Sequence, residues 1–280
     1  METSTVEPSE SDRVHRDMSP ERDLPPAKCR FTYLICSTPR SGSWLLSTGL
    51  DATGCAGRPS EYFSPTYVKA YLDRIDLDAD SMRRLDYMQF LRHRRTTSNG
   101  VFGMKMHFSH LSSVITRPSA RREFLRRFDR LIFLTRRDKL AQAVSFWKTQ
   151  LTQVYRVEAE ESTTSAPLQE GYDFARIVDR LRMVVTQEAD WAAMISQFQE
   201  KTYSLSYEEL SSDYAGCLKR VLEFLGLFEA AESFDPRPQI AAQRDQTNVE
   251  WERRFMQELC GEDMRHAVAQ FATPAHVRAK

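Results

Sequence analysis

Four short stretches stand out from a chain otherwise polar or patterned for helix. Phe31 to Cys36, Val101 to Met106 (Val-Phe-Gly-Met-Lys-Met) and Leu131 to Thr135 are apolar runs rich in β-formers. Runs of that kind are the pattern of strands buried in a parallel sheet. Thr202 to Tyr207 alternates as a further short strand. Phe174, Ile177, Val178, Leu181, Val184, Val185, Ile195 and Phe198 follow helical spacing, as do Leu218, Val221, Leu222 and Leu225, a helix that Gly226 can end. Helical patterns separate or follow the runs, so the expectation is an α/β fold: a central parallel sheet flanked by helices. Ligands of such sheets sit at the carboxyl ends of strands. The first three runs end in Ser37-Thr38-Pro39-Arg40, Lys105-Met106-His107 and Arg136-Arg137-Asp138, three strand ends that can converge on one anionic site.

Residues 1–28 are polar, charged and broken by prolines, which predicts a disordered N-terminal tail before one folded domain, 29–280. The acidic segment Glu158 to Pro167 reads as a loop. Of the 280 residues, 41% are apolar, enough for a buried core. The formal net charge is zero, so no global field favours nucleic acid or a membrane surface. Arginine is dense locally, at Arg92-His93-Arg94-Arg95, Arg121-Arg122, Arg126-Arg127 and Arg136-Arg137. Most such clusters are solvated surface, with one or two left to serve a polyanionic ligand. The five cysteines are scattered, without metal or disulfide spacing, as suits a reducing compartment. No transmembrane stretch and no signal peptide are read from the sequence, so the expected location is the cytoplasm. His107 and His110 lack the carboxylate or thiol company of a metal site, and none is expected.

The stretch Cys36-Ser-Thr-Pro-Arg-Ser-Gly-Ser-Trp-Leu-Leu46 reads as strand, tight loop, helix start. Pro39 shapes the turn, and Gly42 lets backbone approach a ligand. Amides from Ser41 to Trp44 would point out of the new helix, where the dipole favours an anion. Ser41 and Ser43 add hydroxyls, and Arg40 adds a guanidinium fork suited to phosphate or sulfate. An ordinary helix capped by Ser41 or Ser43 fits the same letters. A Walker A spacing, and with it a kinase-type phosphate loop, is absent. The run 131–148 repeats the theme: a strand ends at Arg136, and Ser145 lies nine residues on, along a helix.

Taken together these motifs resemble the sulfotransferases that use PAPS (3′-phosphoadenosine 5′-phosphosulfate) as donor. Thr38-Pro-Arg-Ser-Gly-Ser43 is similar to their 5′-phosphosulfate loop, and Arg136 and Ser145 resemble the pair that holds the 3′-phosphate. The segment 205–226 resembles the strand and helix further along these enzymes. "RSGSWLL", "ATGCAGRPSEYF", "GVFGMKM", "AQAVSFWKTQ" and "QRDQTNVEWERRF" resemble the bacterial Stf0 trehalose 2-sulfotransferases most closely. The resemblance implies a P-loop-like nucleotide-binding sulfotransferase fold and metal-free, in-line transfer of a sulfuryl group to a carbohydrate or glycolipid hydroxyl. It implies Arg40, Ser41, Gly42, Ser43, Trp44, Arg136 and Ser145 as donor-binding residues, with Arg40 also at the leaving oxygen. Lys105 is implied beside the sulfuryl group, and Glu61 as general base, with His107 the competing candidate. Relatives of this type form dimers; the apolar helix faces here suit a homodimer or a single chain.

Two departures from the resemblance matter. Trp44 stands where a hydroxyl residue is common, leaving its amide and an indole to wall the pocket. Arg58 stands where an acidic residue is expected near the sugar, which argues against trehalose and toward a sugar bearing phosphate or carboxylate. Tyr62, Phe63, Phe146 and Trp147 are candidates to stack on sugar or adenine, or else core aromatics.

Overall fold

The structure, a computed structural model, describes residues 9–78, 83–155, 170–240 and 243–260. Along the chain lie α1 (Glu10–Asp17), β1 (Phe31–Ser37), α2 (Ser43–Ala52), α3 (Pro65–Ile75), α4 (Arg84–Arg95), β2 (Val101–His107), α5 (Phe108–Val114) and α6 (Pro118–Arg126). Then follow β3 (Arg130–Thr135), α7 (Lys139–Thr152), α8 (Phe174–Ile195), β4 (Thr202–Ser206), α9 (Tyr207–Ser212), α10 (Tyr214–Phe224), α11 (Phe228–Ser233) and α12 (Gln246–Cys260). The acidic segment from Glu158 to Pro167 lies outside the described residues.

All four expected strands form, in one parallel sheet of order β2-β1-β3-β4. Alternate side chains of β1 feed two layers. Leu34 and Cys36 join Met104, Tyr87 and Trp191 on one face, while Tyr33 and Ile35 join Leu46, Leu50 and Leu218 on the other. This is why the runs carry no polar alternation: helices cover both faces. A third cluster, with Val144, Ile177, Trp251 and Phe255, binds α7, α8 and α12 together. Gly226 ends α10 as expected. It has φ +76°, its amide donates to Glu223 O, and the Leu227 amide donates to Leu222 O, the paired bonds of a Schellman turn.

The chain leaves β1 toward β2 but leaves β3 toward β4, so the sheet changes direction between β1 and β3. Their carboxyl ends form the crevice in which open α/β sheets bind ligands.

The expectation of a disordered tail is corrected from residue 9 onward. Ser9 and Asp12 close a capping box on α1, whose Val14 and Met18 are each 1% exposed within the core. Asp23 pairs with Arg95 at 2.8 Å and with Arg74 at 2.6 Å. Arg95 itself is 1% exposed, so this member of the arginine-rich stretch is a core anchor rather than solvated surface. A two-residue apolar face in a charged helix was too sparse for periodicity to expose.

Candidate active site

Gly42 is the N-cap of α2 and carries no capping side chain; its φ is +85°. A Cβ there would meet Tyr207 Cδ2 at 2.6 Å, so both the backbone and its neighbour demand glycine. The serine-capped alternative is not what forms. The first amides of α2 therefore open onto the cavity with the positive end of the helix behind them. Ser41 departs from its expected role. It is fully buried, and both its amide and its hydroxyl donate to Thr38 O, at 3.3 and 2.8 Å. It shapes the turn instead of facing a ligand. Gln142, also fully buried, donates to Thr38 Oγ1 at 2.8 Å and Pro39 O at 2.7 Å, tying the turn to α7.

Arg40 adopts φ +61°, uncommon for a residue with a side chain and a mark of a position held by its surroundings. Its Nε donates to Ser145 Oγ at 3.0 Å, and its terminal nitrogens to Tyr155 O at 2.6 Å and to Gln243 Oε1. Arg136, at the end of β3, donates to Arg40 O at 3.1 Å and lies over the Tyr207 ring at 4.6 Å. Among the described residues, neither arginine pairs with a carboxylate. Burial, then the like charge of Arg136, brings the Arg40 pKa down to about 10. Burial lowers that of Arg136 as well. Among the described residues, Arg136 Nε and Gln243 Nε2 are buried without hydrogen-bond partners. Two buried cations without a carboxylate in direct contact among the described residues, and two orphaned donors, fit a polyanionic ligand, since leaving such groups unmet is costly.

A second constellation lies at the end of β2. Lys105 and His107 share a strand face, as their spacing predicts, and both reach Glu61 Oε1 at 3.2 Å. His107 Nδ1 lies 3.1 Å from Ser37 Oγ, its partner in the sheet register. Burial disfavours the Glu61 charge, but His107 and Lys105 outweigh it and hold the carboxyl well below its ordinary range. His110 sits 5.0 Å from His107, ring to ring, and burial followed by that neighbour pushes it down to about 4. Lys105 is wholly buried, its ammonium 3.1 Å from the centre of the Trp44 ring. The indole thus does wall the site.

One cavity of about 820 Å³ unites these groups. Arg40, Gly42, Ser43, Trp44, Glu61, His107, Arg136 and Ser145 all line it, with Lys105 directly behind Glu61. That volume is in the range of small-molecule sites. Phe146 lines it too, but Tyr62 and Phe63 are core residues, and Trp147 donates to Gly171 O at 2.8 Å within the third cluster. Arg58 does not line this cavity. It contacts Asp51 at 3.4 Å and the Arg22 carbonyl, on a neighbouring cavity of about 630 Å³. Tyr155, Gln243, Gln142 and Tyr207 escaped sequence reasoning. Gln142, Tyr207 and Gln243 lie inside stretches that carry the resemblance without having been singled out, and Tyr155 lies in none; tertiary convergence rather than spacing brings all four in.

The parallel sheet, its covering helices and the glycine turn at its switch point define an open α/β fold with its ligand crevice at the carboxyl ends of the strands. The Stf0 sulphotransferase family model matches residues 32–258, and the chain belongs to that family. Two trehalose 2-sulfotransferases are similar over 258 residues each. That of Mycobacterium tuberculosis (strain ATCC 35801 / TMC 107 / Erdman) is 26% identical, covering 81% of this chain and 94% of its own. That of Mycolicibacterium smegmatis is 28% identical, covering 80% and 93%. Among solved structures, a sulfotransferase from Alicyclobacillus acidocaldarius aligns with a TM-score of 0.45 at 11% identity, over 89% of this chain and 98% of that one. The sulfotransferase domain of a Synechococcus PCC 7002 olefin synthase aligns at 0.41 and 16%, over 84% and 97%. No helix among the described residues is long and apolar enough to cross a membrane.

Proposed function

We propose that this sulfotransferase moves a sulfuryl group from PAPS to a hydroxyl of a carbohydrate or glycolipid. The observation that carries the donor assignment is the carboxylate-free pair Arg40 and Arg136 beside the glycine-started α2. Arg40, Ser43 and the first amides of α2 bind the 5′-phosphosulfate, and Arg136 with Ser145 binds the 3′-phosphate. The donor supplies the sulfuryl group and departs as PAP, the 3′,5′-bisphosphate. An acceptor oxygen forms the new S–O bond as the bond to the 5′-phosphate breaks in line. Arg40 and the α2 amides stabilise the charge that grows on the departing phosphate oxygen. Glu61 takes the acceptor proton. Lys105, held between Glu61 and Trp44, keeps Glu61 ionised and adds positive charge near the transferring group.

The relatives' printed names support a sugar acceptor, and trehalose is the first to test. Arg58 gave the sequence its argument against trehalose. Its pairing with Asp51, outside the lining of the main cavity, weakens that argument. His107 remains a second reading for the base, because its Nε2 reaches the same Glu61 oxygen.

Thermal shift with PAP, AMP and ATP tests the donor assignment. PAP is expected to stabilise the protein most, and a lack of preference for the 3′-phosphate would rule the assignment out. Arg40→Ala and Arg136→Ala are each expected to lose at least about tenfold in PAP affinity, the scale of one charge-assisted hydrogen bond. Radiolabelled sulfate transfer from PAPS to trehalose, other saccharides, glycolipids and small alcohols tests the acceptor class.

A further inference from the structure

Ser37 closes β1 and is fully buried, and the sheet register sets it opposite His107 at the end of β2. Trp191 Nε1 donates to Ser37 O at 2.9 Å, which fixes this strand end from α8. The Ser37 hydroxyl lies 3.1 Å from His107 Nδ1, its one hydrogen-bond partner among the described residues. On the other side of the same ring, Nε2 lies 3.2 Å from Glu61 Oε1. The three groups form a chain from the sheet to the cavity, and its two ends order the protons between them. An ionised carboxylate only accepts hydrogen bonds, so Nε2 presents its N–H to Glu61. A buried hydroxyl satisfies its own proton only by donating it, and the acceptor in reach is the Nδ1 lone pair. A proton on Nδ1 would leave the Ser37 O–H unmet in the core. Lys105 also meets Glu61 Oε1, at 3.2 Å. Both donors load the same oxygen, and Oε2 takes neither contact. His110, 5.0 Å from the His107 ring, is brought down to about 4 by burial and then by His107, so it adds no charge at neutral pH.

We propose that Ser37 is a positioning residue for the transfer: it holds His107 in the Nε2–H form, as a donor to Glu61 Oε1, and so reserves Glu61 Oε2 for the acceptor proton. The tautomer of an imidazole is set by the hydrogen bond made at its far nitrogen. With Ser37 donating, the ring steadies the carboxylate without becoming a second cation beside it, Lys105 being the first. A ring carrying both protons would stabilise the Glu61 charge further and make it a weaker base. His107 is then a donor to the base rather than the base itself. This role rests on the reading of Glu61 as general base.

The test has a spectroscopic arm and a kinetic arm, both on the full chain. Nitrogen NMR of protein labelled at its histidine nitrogens, assigned by difference with His107→Gln, is expected to show His107 protonated at Nε2 and bare at Nδ1 at neutral pH. Ser37→Ala is expected to lower kcat about tenfold, the scale of one hydrogen bond, for transfer from PAPS to the saccharide that the wild type sulfates fastest. The KM for that acceptor and the affinity for PAP are expected to stay unchanged. Ser37→Thr keeps the hydroxyl and is expected to recover most of the loss. A proton on Nδ1 in the wild type, an unchanged kcat in Ser37→Ala, a PAP affinity that falls along with kcat, or a Ser37→Thr no better than Ser37→Ala overturns the proposal, provided Glu61→Gln is impaired. If neither Ser37 variant folds, the wild-type nitrogen spectrum decides alone. Full turnover by Glu61→Gln, or no transfer by the wild type to any saccharide, overturns the functional reading, and this proposal with it.

Discussion

Glu61 illustrates how a residue's neighbours set what it can do. A carboxyl in this much burial would ordinarily become harder to ionise, but His107 and Lys105 reverse the sign. A depressed folded pKa means stability that is present above the unfolded value and lost as pH falls through the folded one. The Glu61 cluster should therefore hold at neutral pH and come apart only under acid well below the usual carboxylate range. If Glu61 is the base, the acid limb of kcat/KM lies below about pH 4.5. A limb well above the carboxylate range would assign the proton to the imidazole. Glu61→Gln should lower kcat by about 10²–10⁴-fold. Full turnover in that variant, with none in His107→Ala, would reverse the assignment. Trp44 is the other residue whose role comes from its setting. Its indole supports a buried ammonium, and Trp44→Ala should destabilise the fold by about 2 kcal/mol in equilibrium unfolding through that contact, more than the loss expected for Trp44→Phe.

At the scale of elements, two turns do the positioning: the one between β1 and α2, and the one between β3 and α7. Each follows a strand buried on both faces, which is why the sequence announced both so plainly. The first is legible down to Gly42, because a positive φ and a helix start leave few other residues. Gly42→Ala should cost about 1–3 kcal/mol, read as a drop in the denaturant midpoint, since it adds strain at φ +85° to a 2.6 Å clash with Tyr207. Ser41 was misread because the letters cannot say which of two serines faces outward. The roles of Gln142, Tyr155 and Gln243 were not legible, although Gln142 and Gln243 stand inside motifs that carry the resemblance. They come from α7 and from segments far apart in the chain, and only packing shows that they meet around Arg40. The N-terminal helix was missed for another reason: its apolar face amounts to Val14 and Met18, and its docking depends on ion pairs that leave no periodic trace.

Over the whole molecule, those ion pairs make the N-terminal segment part of the domain. Asp23 meets Arg74 and the buried Arg95, and although burial opposes its charge, the two guanidiniums lower its pKa. The sign is that of Glu61: the contribution is present above the ordinary aspartate pKa and fades as acid reaches the folded value. Asp23→Asn strips the charge partner from an arginine that is 1% exposed, and should cost about 3–5 kcal/mol in equilibrium unfolding. The same docking has a consequence for the order in which the protein is made. The partners of α1 and Asp23 are Tyr67, Asp73, Arg74 and Arg95, all of which precede β2. The sheet needs β4, at Thr202–Ser206, and Arg40 reaches Gln243. Domains emerge from the ribosome N-terminus first. The docking of α1 can thus assemble early in synthesis, whereas the contacts around Arg40 wait for Gln243, well after β4, to emerge.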